Sequence, residues 1–167
     1  MASWPDWPAT LPASPTFPNL TSENHRVTSE RTTDYNCIAW AAGDDTQWWW
    51  PEDHQDIYWP EGVPRVEDMT TFAEAFATLD YTLCEGGGLE QGVEKVAIYA
   101  VDGVPSHAAR QLPNGWWTSK LGQSFDVAHT LDAISGGAYG EAALFLGRPA
   151  PQRSGRPSAS LPPEERP

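Results

Sequence analysis

The segment from Glu94 to Leu121, EKVAIYAVDGVPSHAARQLPNGWWTSKL, constrains this chain more than any other. Glu94 to Ala100 is rich in the β-branched and aromatic residues that fit a pleated surface, and Asp102-Gly103 breaks it. Ser106 to Leu112 forms a second run. Asn114-Gly115, a pair that tolerates positive φ at both positions, turns the chain into a third run, Trp116 to Leu121. Runs joined so closely pair antiparallel, which predicts a three-strand meander. If the Asn-Gly pair is a two-residue loop, Trp116 lies opposite Pro113, Ala109 opposite Lys120 and His107 opposite Gly122. A one-residue slip instead brings Ser119 onto the face of His107.

Helical signals precede this sheet. Cys37 to Ala42 is apolar, is preceded by the capping residues Asp34 and Asn36, and is closed by Gly43, which predicts a short helix. Thr71 and Glu74 form a capping box, with Phe72, Ala75, Phe76 and Leu79 at helical spacing, and this second helix is expected to end near Tyr81 to Cys84. Glu141 to Gly147 fits either a strand or a short helix. Helices followed by an antiparallel sheet define an α+β domain with N-terminal helices packed on a small sheet.

At 167 residues the chain accommodates one domain with a proper core. Residues 1–18 hold five prolines with Trp4 and Trp7 among them and form an arm; residues 19–149 are the folded body; residues 150–167, rich in Pro, Ser and Arg, are expected to be disordered. Acidic residues outnumber basic ones 23 to 10, a formal net charge of -13 that repels phosphate backbones and argues against nucleic acid as a partner. No run is long enough to span a bilayer, and the N-terminus lacks a signal-peptide pattern, so the default location is the cytoplasm, with secretion by a signal-less route left open.

Of two cysteines, Cys84 closes an amphipathic helix and reads as a core thiol. Cys37 sits at a predicted helix start, where unpaired amides and the helix dipole favour a thiolate. His107, on the middle strand, is the best placed of four histidines to act as its base. Asp126, and next His129, are the candidates for the group that orients the imidazole, and Asn36 is a candidate oxyanion donor. Trp48, Trp49, Trp50 and Trp59 read as a substrate groove or as packing over the core, with Ser119 and Lys120 on the adjoining strand. Glu52, Asp53, His54 and Asp56 lack metal-ligand spacing, and the glycine-rich stretches match no phosphate or dinucleotide loop, so no metal or cofactor is expected.

The motifs YNCIAWAAGD, WWWP, YWP, EKVAIYA, HAARQLPNG, WTSKLG and the final YG and GRP together resemble an uncharacterised bacterial domain family of unknown function over residues 34–149. More distantly the chain resembles papain-like cysteine peptidases and cell-wall amidases, in which a Cys begins a helix and a His occupies a following strand. That resemblance implies a papain-like fold and a thiol hydrolase, peptidase or amidase, with Cys37 and His107 acting on an amide or related acyl bond of a peptide-like substrate. The alternative is a catalytically inactive binding module that takes a ligand or protein partner through the aromatic 48–59 region.

Overall fold

The computed structural model describes residues 7–150. In chain order the elements are β1 (His25–Val27), α1 (Cys37–Ala41), β2 (Trp48–Trp49), β3 (Ile57–Tyr58), α2 (Met69–Ala77), β4 (Thr82–Cys84), β5 (Val93–Val101), β6 (Val104–Gln111), β7 (Trp117–Lys120), β8 (Asp126–His129), a 3-10 turn (Leu131–Ile134) and β9 (Glu141–Pro149). Seven strands form one antiparallel sheet in the order β1-β8-β7-β6-β5-β9-β4, and β2 and β3 make a separate parallel pair.

The predicted meander is present as β5, β6 and β7, and α1 begins at Cys37 with Asn36 as its cap. The expected balance between helices and sheet is reversed. The fold is α+β, but a seven-stranded sheet dominates it, and the two α-helices among the described residues have only five and nine residues. A small sheet capped by N-terminal helices is therefore not what forms. Segments with little strand signal of their own, His25–Val27 and Thr82–Cys84, are recruited as short outer strands, and the ambiguous 141–147 run is a full strand between β4 and β5. The second helix starts earlier than its Thr71 box suggests, because Asp68 takes the capping position and accepts a 2.8 Å bond from the Thr71 amide. It ends at Ala77, so Cys84 lies in β4 rather than on a helix.

The register of β6 against β7 pairs Arg110 with Thr118 and Gln111 with Trp117. That is the slipped alternative. The connection is a three-residue loop in which Leu112 and Trp116 close the ladder, rather than a two-residue one.

Strand alternation gives the sheet two covered faces. On one, Val96, Ile98 and Ala108 meet Ile38, Ala39 and Ala41 of α1 and Phe72, Ala75 and Phe76 of α2. On the other, Ala97, Tyr99, Ala109, Trp117 and Val127 meet the 3-10 turn, with Trp7, Leu11 and Phe17 of the proline-rich arm packed at the margin. A five-residue helix has no independent stability, so burial must hold α1. Ile38 alone, fully buried, contributes on the order of 2 kcal/mol. The expected disordered tail lies outside the described residues, as do the first six residues of the arm.

Candidate functional site

The triple tryptophan is where local geometry first creates a site. Side chains in an extended segment alternate, so Trp49 is buried while Trp48 and Trp50 reach the cavity, Trp50 with one edge still against the core. Trp49 is buried in the core and donates its indole N–H to Asp44 at 2.9 Å. Trp59 is also core, donating to the Pro64 carbonyl at 2.9 Å. Trp50 meets Phe72 edge-on at 5.4 Å, and Trp59 packs on the same ring at 5.3 Å, which ties this aromatic cluster to α2.

Trp48 and Trp50 line a cavity of about 440 Å³. Asn36 and Cys37 at the start of α1 form part of its wall, Glu52 and Ile57 lie beside the tryptophans, and Ser106, Gly122, Gln123 and Tyr139 face them. Most of the exposed wall is apolar. The volume suits a small organic ligand or one side chain of a partner.

Asn36 holds this wall together. Its side-chain oxygen accepts from the amides of Ala39 at 3.2 Å and Trp49 at 3.0 Å, and its amide group donates to the Trp49 carbonyl at 2.8 Å. It caps α1 and fastens β2 to it. With its carbonyl group engaged twice and its amide group once, Asn36 serves as a structural staple, not a free oxyanion donor.

Cys37 is half-buried at the cavity wall, yet its thiol is not activated. Burial pushes it up to about 11, and nearby backbone groups of Ala108, Ile38 and Cys37 itself offset only part of that. At neutral pH about one molecule in ten thousand then carries a thiolate. A five-residue helix supplies too little field to overcome desolvation.

His107 is fully buried and lies on the other face of β6. It pairs across the sheet with Tyr99, and the two rings meet edge-on at 5.5 Å. Its neighbour Ala108 is the residue that faces α1. His107 Nε2 lies 2.9 Å from Ser119 Oγ, which in turn lies 2.7 Å from His129 Nε2. His129 Nδ1 is 2.7 Å from the Thr130 carbonyl. A carbonyl only accepts, so Nδ1 of His129 carries a proton. Burial, opposed by the Thr130 contact and reinforced by the neighbouring His25, brings His129 down to about 4, so its Nε2 is a bare acceptor at neutral pH. Ser119 then donates to His129 and accepts from His107 Nε2–H. His107, held well below the usual histidine range by burial and then by His129, is neutral, with Nδ1 buried and unpartnered. The three side chains form a closed relay inside the sheet.

The remaining candidates are elsewhere. Asp126, buried on the α1 face, accepts from the Tyr35 hydroxyl at 2.5 Å, and its amide donates to Ser29 Oγ at 3.1 Å. Lys120 is buried with its ammonium 4.8 Å from the Tyr35 ring and donates to the Ser124 carbonyl; burial lowers its affinity for the proton while Asp126 and Asp34 partly restore it. Asp126 orients no histidine, and Ser119 and Lys120 line no groove. Of the residues first read as a site, the structure brings together Asn36, Cys37, Trp48 and Trp50 in one wall, and His107, Ser119 and His129 in another place. Ser106 and Tyr139, absent from that reading, complete the cavity: the Ser106 hydroxyl donates to the Tyr139 carbonyl at 2.6 Å, and the Tyr139 ring stacks on His107 at 3.9 Å. Only the tertiary fold brings a loop at 139 to the start of β6, so no local signal marks them.

These positions overturn the thiol-hydrolase expectation. Among the described residues no cysteine hydrogen-bonds a histidine, and no cluster of three His, Cys, Asp or Glu side chains is suited to a metal. The Cys37 and His107 side chains belong to opposite faces of the sheet, and the thiol is protonated. Peptidase and amidase chemistry through this pair has no geometric support, and the descriptions hydrolase, thiol protease and papain-like fall with it.

Fold and site together define a small α+β domain in which a large antiparallel sheet carries an aromatic-walled cavity at the mouth of its first helix. The chain belongs to the family described as Domain of unknown function (DUF7689), whose model matches residues 26–147. No curated protein and no solved structure matched it. Among the described residues no helix is long and apolar enough to cross a membrane.

Proposed function

We propose that this protein is a non-catalytic binding module that receives a small organic ligand, or a single side chain of a protein partner, in the cavity between the α1 start, Trp48, Trp50 and Tyr139. One observation carries the reading. Alternation along residues 48–50 buries Trp49 and leaves Trp48 and Trp50 partly exposed on the wall of a mostly apolar hollow, Trp50 braced edge-on against Phe72, beside a thiol that burial keeps neutral. Partly exposed indoles that line one concavity are what a recognition site needs, since each offers large apolar area with few rotatable bonds. The test is an indole N–H correlation spectrum recorded during titration with a panel of neutral, anionic and cationic small molecules. Binding members move the Trp48 and Trp50 signals and leave those of Trp49 and Trp59 in place. A panel that moves none of them, or moves all equally, refutes the assignment.

A further inference from the structure

We propose that the cavity selects a weakly hydrated organic cation, a methylated ammonium group; this inference rests on the binding reading above. Three independent observations converge on it. The first is that the cavity wall is mostly apolar, with Asn36, Glu52, Ser106 and Gln123 its polar side chains and two of these already engaged. Asn36 is engaged by Ala39 and Trp49, and the Ser106 hydroxyl donates to Tyr139. A primary ammonium or a guanidinium needs several acceptors when it leaves water, whereas a fully methylated ammonium needs none.

The second concerns aromatic faces. Four cation–ring pairs occur among the described residues: Arg31 on Phe125, Arg110 on Trp40, Lys120 on Tyr35 and Arg148 on Tyr81. None of them uses Trp48, Trp50 or Tyr139. Tyr139 is already stacked on His107 and packed against Phe17, so the ring surface left for a cation in the cavity is that of the two indoles, and tryptophan is the best of the aromatic acceptors for one.

The third is charge. Between Arg31 and Arg65 the chain carries seven Asp or Glu residues and no Lys or Arg. Glu52, on the cavity wall, makes no salt bridge among the described residues; the nearest basic contact is Arg65, whose guanidinium donates at 2.6 Å to the Glu52 main-chain carbonyl, not to its carboxylate. The whole chain, at a formal net of -13, steers cations inward. An anionic ligand faces the opposite field in the same hollow.

Choline and its uncharged isostere 3,3-dimethyl-1-butanol separate the two levels of the proposal. By calorimetry at low ionic strength, choline is expected to bind roughly tenfold more tightly than the alcohol, the scale of a desolvated cation over indole faces. Glu52→Gln, at an exposed position, is expected to weaken choline about threefold to tenfold and to narrow the ratio between the two probes accordingly. Equal affinity of the two probes overturns the cation inference and leaves the cavity as a binding site. Absence of binding by either probe overturns the cation inference while the indole titration decides the cavity reading separately, and a Glu52→Gln protein that binds choline like the wild type also overturns the cation inference.

Discussion

The buried histidine relay makes stability depend on pH by a calculable amount. His129 has an ordinary value of 6.5 in the unfolded chain and about 4 in the fold, because burial disfavours the imidazolium. Its folded value is depressed, so the unfolded state takes up the proton first as pH falls. Stability is fully present above 6.5, erodes below it, and the loss is complete once pH passes the folded value. Between pH 7.5 and 4.5 this one group removes about 2.5 kcal/mol, from the two values and a slope of about 1.4 kcal/mol per unit. His107 is shifted in the same direction and adds to the loss. Asp44 does not interfere: burial would raise it, but hydrogen bonds from Thr46, Trp49 and Gln47 hold it near 2, and its contribution is lost only at lower pH. The perturbation is His129→Asn, whose side-chain amide keeps a donor for the Thr130 carbonyl but does not titrate. At pH 7.5 the variant is expected to be about 1–2 kcal/mol less stable, since Ser119 loses its acceptor. At pH 4.5 the order reverses, because the wild type carries the histidine's loss and the variant does not. Urea unfolding followed by tryptophan fluorescence at both pH values measures each contribution. If wild-type stability is level between them, or if the variant loses as much as the wild type, the relay is not a buried set of neutral imidazoles.

Two further outcomes follow from the same geometry. Alkylation of Cys37 by iodoacetamide at pH 7.5 is expected to run about a hundredfold slower than that of a small thiol of pKa near 9, and to climb about tenfold per pH unit without levelling below pH 10; mass-spectrometric rates over pH 6–10 check it, and a plateau by pH 7 refutes the neutral-thiol assignment. Gly140, at φ +71°, would place a Cβ 2.0 Å from the Ala100 carbonyl oxygen, so Gly140→Ala is expected to cost more than about 2 kcal/mol and to disturb the adjacent Tyr139, read as a lower urea midpoint together with a shifted Tyr139 ring signal. A variant as stable as the wild type is the contrary result.

What the sequence made legible was local. Asn114-Gly115 and the alternating runs around it announced β5 to β7, and Asn36 before CIAWA announced a capped helix, because turn chemistry and capping act within a few residues. The outer strands could not be read this way. His25–Val27 has three residues, and its pairing with β8 is decided by a partner far along the chain, so nothing in HRV itself requires a strand. The site was misread for a related reason. Placing Cys37 on a helix start and His107 on a strand says nothing about which side of that strand each occupies. Alternation along β6 settles that, since Ala108 faces α1 and His107 therefore faces away, and the extra loop residue decides that Ser119 shares its face. Desolvation of the Cys37 thiol outweighs the dipole of a single turn and a half, so a helix start alone does not mark an activated thiol. The WWW run stands out in the sequence, but which ring is buried and which two reach the cavity is decided by the strand geometry.

The position of β9 bears on how the molecule is made. On the ribosome, β5 to β7 can zip together as soon as residue 120 emerges, while β4, synthesised before them, has no partner until β9 arrives and inserts between β4 and β5. During that interval the outer edge of β5, whose Val96, Ala97 and Ile98 end up wholly enclosed, stands open to any other nascent chain. Translation pausing shortly before residue 141 would therefore raise the yield of aggregates, and release of the last strand is the event that ends the hazard.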